Sequence, residues 1–228
     1  MRSEKRLLDR RAADRIRSHI LDGSFAAGAR LVETQLALEL EVSRGTVRAA
    51  LALLASEGLV TQVAFTRWQV SETTPRDAWE IYTLRAALEG LAARLAAGNA
   101  RPADAEGLEA TIAEMAQAAD EGRFEAVTDL DFRLHREIVA LARHRRLAEQ
   151  HANVMQQVRF HMAQSGFFPA DYRASVAEHA ALIAAVAKGD AALAERLAHT
   201  HNETEVRLLA RTAEEPRPGD SPDRPHHA

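Results

Sequence analysis

Between Arg10 and Leu21 the apolar residues Ala12, Ala13, Ile16 and Ile20 recur at helical spacing, and Asp22-Gly23 supplies a stop. The loop SFAAGAR leads to a second short helix near Glu33–Leu40. After the break Glu41-Val42-Ser43, Ser43 is a good N-cap for a third helix. There Val47, Ala50, Leu51 and Leu54 stand at i, i+3, i+4 and i+7, and Glu57-Gly58 ends the run. Two short alternating stretches, Leu59–Val63 and Arg67–Ser71, read as strands around the tip Ala64-Phe65-Thr66. Three helices and a β-hairpin in so short a span describe a winged helix-turn-helix. Beyond Thr73-Thr74-Pro75 the texture changes to long helices without strand signals, expected at 75–98, 102–121, 123–142, 145–163, 171–188 and 190–211. Their punctuation is Gly98-Asn99 with Pro102, Glu121-Gly122, His144, Gly166 with Pro169, and Gly189-Asp190. Six helices with short links form an antiparallel bundle. The fold class is therefore mainly α, a winged helix-turn-helix over residues 1–74 followed by an all-α bundle over 75–213. The Pro-rich polar tail 214–228 is expected to be disordered.

Composition narrows the chemistry. About a fifth of the 228 residues are alanine and only 5% are aromatic, which favours helix over sheet. The absence of cysteine excludes disulfides, iron–sulfur clusters and thiol nucleophiles. No apolar run approaches the ~18 residues of a membrane span, and the N-terminus lacks a signal-peptide core, so a cytoplasmic protein without membrane association is expected. The net charge of −4 conceals an asymmetry: residues 1–71 hold 11 Lys+Arg against 8 Asp+Glu, and the rest hold 18 against 25. A cationic first module on an acidic body suits a polyanionic partner.

In a helix-turn-helix the start of the second helix of the motif enters the major groove. Arg44 and Arg48, four residues apart, share a face near that start, where a guanidinium can take guanine O6/N7 or clamp a phosphate. Ser43 and Thr46 can donate to phosphate oxygens, and Arg30, Arg67, Arg10 and Arg11 could add backbone contacts. The run Val42-Ser43-Arg44-Gly45-Thr46-Val47-Arg48-Ala49-Ala50-Leu51, with its continuation to Glu57-Gly58-Leu59-Val60, resembles the DNA-binding domain of GntR-family bacterial transcription regulators. The resemblance departs at Ala27-Gly28, where the family has Pro-Gly, at Thr34, where it often has a DNA-contacting arginine, and at the wing tip.

Residues 75–211 resemble the FCD ligand-binding domain of the family's FadR-like branch, beginning with Ile81-Tyr82-Thr83-Leu84-Arg85-Ala86-Ala87-Leu88-Glu89-Gly90. Asp131 and His135 stand one turn apart on one helix face, a two-point metal clamp. His179 lies ten residues before Gly189 and His201 eleven after Asp190, so a hairpin there brings them to one height. The four match the family's Asp/His/His/His metal motif in type and order; His199 competes with His201 but faces another side of its helix. Such a set suits a divalent ion, zinc first, with nickel or manganese also compatible. Open coordination positions would take a small carboxylate effector, with Arg85 as its ion-pair partner and Tyr82 as a pocket wall. Arg85 equally makes an i, i+4 surface pair with Glu89.

The resemblance implies a metabolite-responsive regulator, a repressor, binding double-stranded palindromic operator DNA as a homodimer in the bacterial cytoplasm, associated with the nucleoid when bound. Two other classes remain open from the residues: a metal-dependent hydrolase fused to a DNA reader, and a DNA-binding module whose helical body only dimerises.

Overall fold

The computed structural model describes residues 2–63, 67–165 and 171–214. In chain order the elements are α1 (Arg2–Leu21), β1 (Arg30–Leu31), α2 (Glu33–Glu39), α3 (Arg44–Ser56), β2 (Val60–Val63), β3 (Arg67–Val70), α4 (Pro75–Asn99), α5 (Pro102–Asp120), α6 (Phe124–Leu141), α7 (Arg145–Ser165), α8 (Tyr172–Ala187) and α9 (Ala191–Glu214). The mainly helical fold and the helix order follow the sequence pattern. The wing tip 64–66, the Gly166/Pro169 break and the tail from 215 lie outside the described residues. Among those described, no helix is long and apolar enough to cross a membrane.

Two elements differ from expectation. Helix α1 begins at Arg2 instead of Arg10. Six of the eight residues 2–9 are good helix formers and none is Gly or Pro, so the helix extends past its last buried position, Ala12, where periodicity carries no signal. The other is the two-residue strand β1, too short for any pattern. Gly28, at φ +72°, turns the chain so that its N–H reaches Val70 O at 3.1 Å, and Val70 N–H returns to Ala29 O at 2.9 Å. A Cβ on Gly28 would also meet the Glu72 carboxylate, so the position suits glycine twice over. The sheet order is β1-β3-β2, antiparallel throughout, with Leu31 opposite Trp68.

Ser43 caps α3 by accepting from Thr46 N–H at 3.1 Å, and Thr74 with Asp77 forms a capping box at α4. Around α3, the fully buried Ile16, Val47, Leu51, Leu54, Leu59 and Val70 form one apolar cluster. Arg17 on α1 grips Glu57 bidentately at 2.8 and 3.0 Å. In the bundle, α4 and α9 pack closely, and both carry small buried residues, Gly90, Ala93 and Ala97 on α4 and Ala194 and Ala198 on α9. A Cβ on Gly90 would stand 2.6 Å from the His199 ring, so His199 fills the space that this glycine leaves.

Helix α7 belongs to both clusters. Its Phe160 is 3% exposed and sits in the apolar cluster around α3. Gln157 Nε2 donates to Glu57 O at 3.3 Å, Gln164 Nε2 donates to Ser71 O at 2.8 Å, and Thr73 N–H donates to Gln164 Oε1 at 3.2 Å. Replacing a buried phenylalanine by alanine costs about 3–5 kcal/mol. Phe160→Ala is therefore expected to lower the unfolding free energy of the N-terminal module by that order, read as a lower midpoint in urea unfolding. An unchanged midpoint would mean that Phe160 contributes no packing there.

Candidate metal centre and DNA-facing surface

Helix α6 carries Asp131 and His135 one turn apart, α8 carries His179, and α9 carries His201. Gly189, at φ +72°, reverses the chain between α8 and α9 and brings the two histidines level. One ligand atom from each of the four residues lies within 4.8 Å of all the others. His179 Nε2 stands 3.0 Å from Asp131 Oδ1 and 3.2 Å from His135 Nε2, and His135 Nε2 stands 3.7 Å from Asp131 Oδ1. The three imidazoles are buried and Asp131 is partly exposed.

The surroundings of these rings decide which nitrogen is available. His135 Nδ1 donates to Glu89 Oε2 at 3.0 Å, His179 Nδ1 to Ser175 O at 2.8 Å, and His201 Nδ1 to Glu178 Oε2 at 2.9 Å. Each partner is an acceptor only, so each neutral ring carries its proton on Nδ1 and turns an Nε2 lone pair inward. With all three rings neutral, three lone pairs and a carboxylate converge, an arrangement that calls for a cation: either a proton on His135, whose Nε2 then donates to His179 Nε2 at 3.2 Å, or a metal ion in its place. Outer-shell acceptors on all three Nδ1 atoms are the usual device for orienting metal-binding histidines. The residues therefore fit a divalent ion with nitrogen and oxygen ligands, in the zinc, nickel or manganese range.

The electrostatics express the same demand. Burial acts to raise the Asp131 carboxyl, but the His135 and His179 imidazoles outweigh it and hold it well below the usual range. Burial acts to lower His135, and Arg85 adds to that, yet the Glu89 and Asp131 carboxylates together outweigh both and the imidazole is pushed up to about 9. Burial and the neighbouring His201 push His179 down. A metal ion entering below that value displaces a proton from His135.

Arg85 does pair with Glu89, Nε to Oε1 at 2.8 Å, but the pair is buried, which corrects the surface placement expected from i, i+4 spacing. The cause is tertiary: this face of α4 packs against α7 and α9. Glu89 also accepts from His151 Nε2 at 3.0 Å and from Asn202 Nδ2 at 2.8 Å. Glu89, His151, Glu178 and Asn202 were not legible as site residues, because each acts on a partner from another helix. Tyr82 is buried among Phe132, Val154, Met155 and Val158, with its ring edge-on to His161 at 5.9 Å. His199 packs on Gly90 and lies outside the cluster.

On the winged module, Arg44 and Arg48 are exposed on one face of α3. Arg30, Arg67, Thr34 and Trp68 line a shallow concavity beside Arg44. Thr46 departs from expectation. It is buried, with its hydroxyl 3.0 Å from Ser43 Oγ, so it completes the helix cap and does not face a phosphate. An acidic residue also sits in this cationic face: Glu33 takes both Nε and Nη2 of Arg48.

A family model described as bacterial regulatory proteins, gntR family, matches residues 8–65, and one described as the FCD domain matches residues 80–204. The chain belongs to the GntR family and carries an FCD domain. Relatives of this GntR regulator include the HTH-type transcriptional regulator YdhC of Bacillus subtilis (strain 168), 28% identical over 84% of this chain and 87% of that one. A probable D-xylose utilization operon transcriptional repressor of Paenarthrobacter nicotinovorans is 29% identical over 88% of this chain and 89% of the other. Among solved structures, E. coli McbR/YncC has a TM-score of 0.72 at 23% identity, covering 90% of this chain and 98% of its own, a likeness of fold. These relatives are transcription regulators and not enzymes, which sets the hydrolase alternative aside.

If the inward lone pairs hold an ion, tag-free protein should contain close to one divalent ion per chain by elemental analysis, and His179→Ala much less. Chelation should also lower the melting temperature, because three helices supply the ligands. Wild-type protein that is metal-free and cannot be loaded with zinc, nickel or manganese would refute the site.

Proposed function

We propose that this GntR regulator is a dimeric repressor. In this reading residues 1–74 bind a palindromic operator, and residues 75–213 pair two copies and answer to a small carboxylate held at a metal-anchored site. The observation that carries it is the inward convergence of Asp131 and the three Nε2 atoms in a chain that also displays Arg44 and Arg48 on one exposed helix face. Bound there, a divalent ion would offer open coordination positions to a carboxylate oxygen. Arg85, whose guanidinium pairs with the same Glu89 carboxylate that His135 bonds, supplies positive charge to the effector, and Tyr82 shapes the adjoining wall. Repression of a catabolic operon accords with the description of the Paenarthrobacter relative.

Dimerisation follows from the reading chemistry. One recognition helix meets too few base pairs to select a site in a genome, and two-fold proteins solve this with paired half-sites. Ser43, Arg44 and Arg48 meet DNA from α3, while Arg30 and Arg67 meet the flanking backbone from the sheet.

Arg44→Ala or Arg48→Ala is expected to weaken binding to a selected operator by ~1–3 kcal/mol where it removes a bidentate base contact. Unchanged affinity in both, with folding intact, would rule out this placement. Sedimentation equilibrium at micromolar concentration should show a species of twice the chain mass. Only monomer, with and without operator, would refute the dimer. Operator release by one member of a panel of small carboxylates, lost after chelation, tests the sensing half; release that persists in metal-free protein would overturn it.

A further inference from the structure

A carboxylate in the middle of a DNA-binding face is costly, since it faces phosphates, and Glu33 occupies that position. Glu33 opens α2, with Arg44 and Arg48 from α3 on one side and Trp68 from β3 on the other. Arg48 donates to it through Nε at 3.0 Å and Nη2 at 2.8 Å, Trp68 Nε1 donates at 3.3 Å, and Arg44 Nη2 lies 3.7 Å away. Its side chain is 17% exposed while both arginines are 63% exposed, so the anion lies beneath the cations. The Arg48 hydrogen bond, opposed by burial and aided by Trp68, holds the Glu33 carboxyl below its usual range, so it is ionised at neutral pH.

The geometry of this contact divides the Arg48 guanidinium. Glu33 takes the side edge, Nε with Nη2, and leaves the end edge, Nη1 with the second Nη2 hydrogen, projecting outward. That free edge is the fork that matches guanine O6 and N7. A guanidinium without such a support has many rotamers and settles on the nearest phosphate, where it carries no sequence information. We propose that Glu33 is a specificity-determining positioning residue: it presents Arg48 to one guanine in each half-site, keeps Arg48 and Arg44 from settling on phosphate, and ties the wing to the recognition helix through Trp68. The proposal deepens the DNA-reading half of the proposed function and rests on it.

The test uses the full-length protein and an operator selected by wild type from a randomised duplex library. Glu33→Gln keeps the size and an acceptor for Trp68 but removes the charge; Glu33→Asp keeps the charge and withdraws it by one methylene. Both variants are expected to lose about ten-fold or more of the preference for one G·C pair per half-site. Glu33→Gln should also gain affinity for random duplex and steepen the log–log salt dependence by about one per protomer, as Arg48 moves to a phosphate. Arg48→Ala should abolish the preference at the same base pair, and adding Glu33→Gln to it should cost no further discrimination. Full preference in both Glu33 variants, with Arg48→Ala losing it, would overturn the positioning role while leaving the DNA reading intact. Equal loss for selected and random duplex would likewise overturn it, in favour of a merely structural role. No change at any base pair in Arg48→Ala would refute the reading beneath the proposal.

Discussion

The carboxylate of Glu89 is the interaction on which the bundle turns. It is 3% exposed, and its two oxygens take donors from four helices: Arg85 of α4, His151 of α7, His135 of α6 and Asn202 of α9. An isolated carboxylate at such depth would be costly, and the low-dielectric interior strengthens each bond that compensates it. Burial acts to raise its pKa, but Arg85 and His135 outweigh that and keep it ionised. The same charge fixes the His135 tautomer and aims its Nε2 at Asp131 and His179. The candidate metal centre is thus the inner layer of a network whose outer layer is Glu89.

That network reaches the DNA-reading module through α7. His151 bonds Glu89 on one stretch of the helix, and Phe160, about two and a half turns onward, packs into the cluster around the recognition helix. Gln157 and Gln164 add bonds to the end of α3 and to the chain entering α4. Packing of this kind links the two ends by contiguous contact. The DNA face repeats the arrangement on a smaller scale, with a carboxylate seated below arginines and joining three elements.

Much of this architecture was legible in the sequence because it is governed locally. Helical periodicity, the Ser43 and Thr74 caps and the Gly189-Asp190 turn set most elements within a few residues of where they stand, the early start of α1 and the short β1 excepted. Asp131 and His135 could be paired because one turn of helix places them together, and His179 with His201 because a hairpin of equal arms levels them. The expected competition from His199 is resolved by Gly90, whose missing side chain admits that ring and takes it away from the cluster.

Tertiary structure alone decided the partners. Glu178 orients His201 across 23 residues and Glu89 reaches Asn202 across 113, separations that no local period encodes. Arg85 and Glu89 had the spacing of a surface pair, and only the packing of α7 and α9 over that face made them a buried centre. Thr46 had the chemistry of a phosphate donor, and only its inward rotation made it part of a cap. Sequence determines which groups a helix face offers, because that follows from bond geometry. Whether an offered group meets solvent, DNA or another side chain depends on what packs against the face, and that is set by the whole fold at once.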